Sequence, residues 1–292
     1  MSNPKNKMLI PIDFSEISFN ALTHAAQIAK HFDNDLVLLS ILEDDFLSNI
    51  FSFSKNDMKE NLAKEALKSR LKEKAEELLK PLHINYELSV KSGKIYKTII
   101  ETADEFGCDS IIMGTHGASG AERIIGSNAS RVISYSSTPV IVVKTSKNPN
   151  AYKNIVFPLD LSSESKQKVK WAIHLGKSYH STIHILTHKV GDEFLNNKLM
   201  ANLKQIQLLL DENGIQHSVT ISEDSNDFAR KTLEFAELKL ADLIMIMTQQ
   251  EDKSIREYII ETYAQQIVND AGNVPVMCIN PNYDGFKSEF II

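Results

Sequence analysis

A chain of 292 residues is long enough for two cores, and 42% apolar with 24% charged residues is ordinary for a globular protein. A net charge of −6 argues against a general nucleic-acid surface, and neither half is strongly polarised: 18 basic against 19 acidic residues up to position 150, then 14 against 19. Cys108 and Cys278 each sit in or beside an apolar run and read as buried reduced thiols of a reducing compartment. With a polar start and no apolar run near the ~20 residues of a membrane span, a cytoplasmic chain without membrane or nucleic-acid partners is expected.

Lys7–Ile12 reads as a short buried strand ended by Asp13-Phe14-Ser15. Ser15 with Ile17, Ala21, Leu22, Ala25, Ala26, Ile28 and Ala29 gives a capped helix of 3.6 periodicity. Asp35–Leu42 is apolar enough to be buried on both faces, as in a parallel sheet. After the acidic and aromatic stretch Glu43–Asp57 comes a helix over Met58–Leu79, with Leu62, Ala66, Leu71, Ala75, Leu78 and Leu79 inward and a solvated Lys/Glu face. Ile84–Val90 alternates like a strand, Ile95–Phe106 is helical and Asp109–Met113 is a strand. A helix over Asn128–Tyr135 and a strand over Pro139–Val143 close the half. The order βαβαβαβαβ predicts an α/β fold with a doubly wound parallel sheet, helices on both faces, and a ligand crevice beyond the carboxyl ends of its strands.

Between the fourth strand and its helix stand Gly114, Gly117, Gly120 and Gly126, four of eleven glycines within thirteen positions. Ser127-Asn128 follow as expected cap residues. Glycines admit backbone amides to a phosphate, and a helix N-terminus presents unpaired N–H groups at the positive end of its dipole. This loop and Asp13, behind the first strand, face one crevice if their strands are neighbours.

The second half repeats the first. Pro158, Asp160 and Ser162 follow Pro11, Asp13 and Ser15 at an offset of 147, Asp242 follows Asp109 at 133, and Pro275 follows Pro139 at 136. The offset drops by fourteen residues, which points to a missing counterpart of the Glu43–Asp57 insertion. Two domains of one fold are expected, 1–147 and 148–292, joined by a linker around Thr145–Ala151. The tail Asn280–Ile292 falls outside the repeat, and its end Phe290-Ile291-Ile292 is expected to pack. After Met247 the second half offers Thr248-Gln249-Gln250-Glu251-Asp252 and no glycine before Gly272, so its loop is degenerate for phosphate. The apolar segments Val140–Val143 and Val276–Cys278, each beside a proline, are expected to pack the halves as an intramolecular pseudo-dimer.

Pro11-Ile12-Asp13-Phe14-Ser15, Met113-Gly114-Thr115-His116-Gly117, Gly126-Ser127 and Thr138-Pro139-Val140 resemble the universal stress protein family, and nearly the whole chain is similar to its tandem form. The resemblance implies a five-stranded sheet in order 3-2-1-4-5 in each domain, ATP binding in some members with magnesium as a candidate companion, and dimerisation through the last strand. By this resemblance Asp13 meets ribose or adenine, and Ile41 with Met113 lines the base. Gly114 and Gly117 pass the phosphates, and Gly126, Ser127 and Asn128 hold them. Pro11, Ser15 and His116 complete the cofactor-binding set. The stretch Ala118–Ile125 is one residue shorter than the nine that separate the second glycine from Gly-Ser in the family's ATP-binding pattern.

Enzymatic alternatives find no support in the residues. There is no Gly-x-x-x-x-Gly-Lys-Ser/Thr loop and no Gly-x-Ser-x-Gly elbow, and Asp13-Phe14-Ser15-Glu16 differs from the Ser-Gly-Gly-x-Asp-Ser turn of ATP pyrophosphatases. His116 has no acidic partner in view, His174, His184 and His188 lack metal-ligand spacing, and Met245 and Met247 read as core. The expectation is a stress-response protein that binds an adenine nucleotide in its first domain and acts as a regulator, not an efficient enzyme, toward a protein partner the residues do not name. The competing reading is a nucleotide-independent interaction module. Homodimerisation is a further expectation.

Overall fold

The computed structural model describes residues 6–43, 56–115, 125–145, 152–161, 167–223, 226–248 and 262–281. In the first half the chain forms β1 (Lys7–Pro11), α1 (Glu16–Phe32), β2 (Asp35–Leu42), α2 (Asn56–Leu78), β3 (Tyr86–Ser92), α3 (Ile95–Glu105), β4 (Ser110–Gly114), α4 (Ser127–Tyr135) and β5 (Val140–Val143). The second half forms β6 (Asn154–Pro158), α5 (Lys168–Tyr179), β7 (Thr182–His188), α6 (Glu193–Glu212) and β8 (His217–Ser222). It ends with α7 (Phe228–Leu238), β9 (Leu243–Met247), α8 (Thr262–Asp270) and β10 (Val276–Ile279).

All the strands share one ten-stranded sheet, in the order β3-β2-β1-β4-β5-β10-β9-β6-β7-β8. Each half is parallel and has the expected 3-2-1-4-5 order. The halves meet through antiparallel pairing of β5 with β10, where Met277 stands opposite Ile141. Alternation along the strands sends Leu9 to one face and Ile10 to the other, and the apolar layer on each face contains residues of both halves.

An aspartate recurring before β4 and β9 has a physical reason. The Lys7 N–H donates to Asp109 Oδ2 at 2.8 Å, and the Asn154 N–H donates to Asp242 Oδ2 at 2.9 Å. In return the N–H of each aspartate donates to the carbonyl of the same residue, at 2.8 and 2.9 Å. Each central strand is thereby clamped to the strand beside it at its first residue.

Three expectations need correction. Leu62 is 65% exposed, Ala66 is exposed and Leu78 is half-buried, whereas Leu71, Ala75 and Leu79 are fully buried. Only the C-terminal half of α2 reaches the core; its N-terminal half is held by polar contacts such as Ser92 Oγ donating to Glu60 at 2.7 Å. Ser127 is the first helical residue of α4 and does not cap it: Gly126 holds the cap position, with no side-chain cap bond. Between β2 and β3 the offset falls further than expected, from 147 for Leu36 and Ile183 to 131 for Tyr86 and His217, and part is regained before β9. The short turn Lys189–Asp192 after β7 accounts for most of the loss.

Polar groups reinforce the junction. Asn280 donates to the carbonyls of Ile133 and Ser136 at the end of α4, and Lys144 donates to that of Asn269 at the end of α8. Each half thus closes the other's helix, where carbonyls lack intrahelical partners. On the α1 side, His24 Nε2 lies 2.8 Å from the Tyr152 hydroxyl, and Asn34 donates to the Tyr179 hydroxyl at 3.3 Å. Phe32 and Tyr152 both meet Tyr179 edge-on. Cys108 and Cys278 are buried and free, and burial pushes both thiols up to about 12. The segment Phe290–Ile292 lies outside the described residues.

Candidate functional site

A cleft of about 420 Å³ opens where β1 and β4 run side by side, at their carboxyl ends. This is the switch point at which strand order reverses. Its floor is Pro11, Ile12 and Asp13 from the end of β1 and Met113, Gly114 and Thr115 from β4. Leu39 and Ile41 of β2 with Ile95 and Ile99 of α3 give an apolar wall, and Gly126, Ser127 and Asn128 bring the start of α4 to its rim.

The turn after β1 is built locally. Phe14 takes a left-handed conformation (φ 63°), which lets Asp13 Oδ1 accept from both the Ser15 N–H, at 3.0 Å, and the Ser15 hydroxyl, at 2.6 Å. The Ser15 hydroxyl in turn accepts from the Ser18 N–H at 3.2 Å and caps α1. Ser15 is therefore a cap as its position suggests, but Asp13 is not left free by it. Asp13 orients the cap and also lines the cleft. Arg70 lies over the Phe14 ring, 4.2 Å from its centroid, and steadies the turn from α2.

Gly114 has a packing reason beside its place in the cleft. A Cβ there would stand 2.2 Å from Ile17 Cγ2 and 3.3 Å from the Ile17 carbonyl oxygen, so the glycine lets the first turn of α1 sit against β4. Gly126 donates its N–H to the Thr115 carbonyl at 2.8 Å and ties the start of α4 to the end of β4. With no capping side chain, the first N–H groups of α4 remain available at the rim, and the helix dipole favours an anion there. Among the described lining residues the only charged side chains are Asp13 and Glu43. An anion at this rim would meet backbone N–H groups and, among the described lining residues, no lysine or arginine.

The structure brings Pro11, Asp13, Ile41, Met113, Gly114, Gly126, Ser127 and Asn128 together at this cleft, with Ser15 one step behind as the cap. His116, Gly117 and Gly120 lie outside the described residues, as do Glu251 and Asp252. Sequence reasoning missed Ile95 and Ile99. Their i,i+4 spacing at the start of the helix after β3 was the available signal. No group of His, Cys, Asp and Glu suited to a metal occurs among the described residues. His184 instead bonds Ser218 at 2.8 Å and Asn154 at 3.1 Å.

The corresponding positions of the second half carry different side chains. By strand and helix register His188 stands where Ile41 does, Phe228 where Ile95 does, Thr232 where Ile99 does, and Tyr263 where Asn128 does. These four form a connected group. The His188 and Phe228 rings meet edge-on with centroids 4.8 Å apart, Phe228 and Tyr263 stack at 5.9 Å and 15°, and the Thr232 and Tyr263 hydroxyls are 3.2 Å apart.

Two doubly wound halves sharing one sheet, with an open crevice at the switch point of the first, define a tandem α/β protein built on a repeated parallel-sheet scaffold. The chain belongs to the universal stress protein family, whose model matches residues 5–144 and again 151–280. It is 32% identical over 146 residues to one universal stress protein of Methanocaldococcus jannaschii, covering 50% of this chain and 85% of that protein. A second universal stress protein of that organism is 30% identical over 163 residues, covering 49% of this chain and 98% of its own length. The crystal structure of a universal stress protein from Archaeoglobus fulgidus superposes with a TM-score of 0.71 at 20% identity, over 95% of this chain and 99% of the other, a likeness of fold.

Proposed function

We propose that this chain binds one adenine nucleotide, ATP, in the cleft of its first half and acts as a nucleotide-dependent regulator of a protein partner. One observation carries the reading: the cleft at the β1–β4 switch point joins an apolar wall to the uncapped start of α4. The residues present fit such a ligand. Ile41, Met113, Ile95 and Ile99 suit a purine ring, Asp13 suits a ribose hydroxyl, and the N–H groups from Ser127 onward suit phosphate oxygens. A magnesium ion bound with the nucleotide would supply neutralising charge that no lysine or arginine of the described lining provides.

A regulator is favoured over a catalyst because, among the described residues at the cleft, the hydroxyl that meets a carboxylate is that of Ser15, which is engaged in capping α1. Turnover of ATP is expected to stay far below the enzyme median of ~10 s⁻¹. Calorimetric titration with ATP, with and without magnesium, tests the reading. One site per chain is expected, lost in Gly117→Val, whose side chain would block backbone approach, and kept in Asp160→Ala. Absence of binding by the parent protein would overturn it and leave the interaction module as the better description.

A further inference from the structure

We infer that the second-half crevice is closed by the chain's own side chains, with His188, Phe228 and Tyr263 filling the volume that Ile41, Ile95 and Asn128 leave open in the first half. This deepens the nucleotide reading by naming the residues that decide which of two equivalent crevices takes a ring ligand.

The backbone frame at the two sites is the same, which makes the side chains the difference. Each half pairs its first strand with its second and fourth in parallel, and each sets the helix after the third strand and the helix after the fourth at the crevice. Register is fixed by buried positions: Ala129, Val132 and Ile133 of α4 recur as Ala264, Ile267 and Val268 of α8, and Ala103 of α3 recurs as Ala236 of α7. At the crevice itself the first half presents two branched aliphatic chains and a short amide around open space. The second presents three rings, with Phe228 touching both His188 and Tyr263, and Phe228 and Tyr263 pack against the same apolar layer that underlies the open cleft.

The contacts are those of a filled site. Phe228 and Tyr263 lie nearly parallel, as a purine would lie against an aromatic neighbour, and His188 closes the stack edge-on. Thr232, fully buried, meets the Tyr263 hydroxyl and satisfies the one polar atom that the ring carries inward. Burial raises the Tyr263 hydroxyl well above its usual range, and the charge of Asp160, the counterpart of Asp13, adds to the shift. Ring for ring, the side chains replace a ligand.

Two readouts test the inference. Adenosine is the first probe, because it carries no phosphate to be repelled by the acidic second loop. The variant His188→Ile/Phe228→Ile/Tyr263→Asn, which restores the first-half residues, is expected to take two adenosines per chain where the parent takes one. A folded variant that still takes one overturns the inference. The second readout does not depend on nucleotide binding by either half. Phe228→Ala is expected to lower Tm by about 5 °C, and indole, a ring of suitable size, is expected to recover part of that loss in the variant while leaving the parent unchanged. Phe228→Leu serves in its place where the alanine variant does not fold. A Tm equal to the parent's in either variant overturns the inference. A parent that takes no adenosine, together with indole rescue, would remove the nucleotide reading and keep the closed crevice.

Discussion

The side-chain amide of Asn280, at the end of the second half, donates to the carbonyl of Ile133 in the first half at 2.6 Å. It also reaches the Ser136 carbonyl at 2.9 Å, so the last turn of α4 is completed by the other domain. The opposite end of the same helix lies at the cleft. Asn280→Ala leaves these carbonyls without their partner and is expected to destabilise the protein by about 1–2 kcal/mol in urea unfolding. If ATP binds at the start of α4, the variant should also bind it more weakly, and unchanged stability would deny Asn280 this capping role.

At the β5–β10 pairing Ile141 and Met277 are opposite one another and only 2% and 1% exposed. A lysine at either position must bury an unpaired charge. Ile141→Lys and Met277→Lys are each expected to cost about 4 kcal/mol or to prevent folding. Circular dichroism melts that match the parent would rule out this junction.

His24 gives the fold an acid limit. It is 1% exposed beside Tyr152, and burial lowers it from 6.5 to about 4. Between those values the unfolded chain takes up a proton that the folded chain refuses. The stabilisation is complete above pH 6.5, falls as the pH drops toward 4, and levels off below that. The loss is on the order of 3 kcal/mol. His24→Gln should flatten this part of the stability profile. His174 and His184, also lowered by burial, leave a residual slope in the variant.

Lys168 is buried at the start of α5, donates to the Pro158 carbonyl and lies 4.5 Å from the Phe157 ring centroid. Burial lowers its ammonium from 10.5 to about 8, offset in part by Asp160. The folded state is thus penalised below pH 8 and recovers as the pH rises toward 10.5. Lys168→Met is expected to raise stability at pH 7 by about 1–2 kcal/mol, with the gain shrinking at pH 10. Equal stability changes at both pH values would contradict this.

Gly114→Ala is expected to cost about 1–3 kcal/mol through its clash with Ile17. Adding Ile17→Ala should relieve part of the clash, giving a coupling energy in a double-mutant cycle. Additive effects would place the need for glycine elsewhere in the cleft.

The strand order and the repeat were legible because buried parallel strands need continuous apolar runs, and because Asp109 and Asp242 must each sit beside a strand start. Asp13 and the Gly126-Ser127 pair were legible from their place between strand and helix, and Met113 only through the family resemblance. The exposure of Leu62 was not, since helical spacing describes a face without saying what the face meets. His24 with Tyr152 was hidden by a sequence separation of 128. Phe228 and Tyr263 belong to no motif, and the fold places them at the counterparts of Ile95 and Asn128. The cleft is lined by residues from six elements, and no local pattern joins them.

The pairing of β5 with β10 inside one polypeptide changes what symmetry permits. Two identical chains meeting at the same strand carry every substitution twice, so they cannot alter one crevice and spare the other. Covalent fusion lifts that restriction. It also makes the encounter of the halves a first-order event, so their pairing, and the one-to-one ratio of the two kinds of crevice, persists at any dilution.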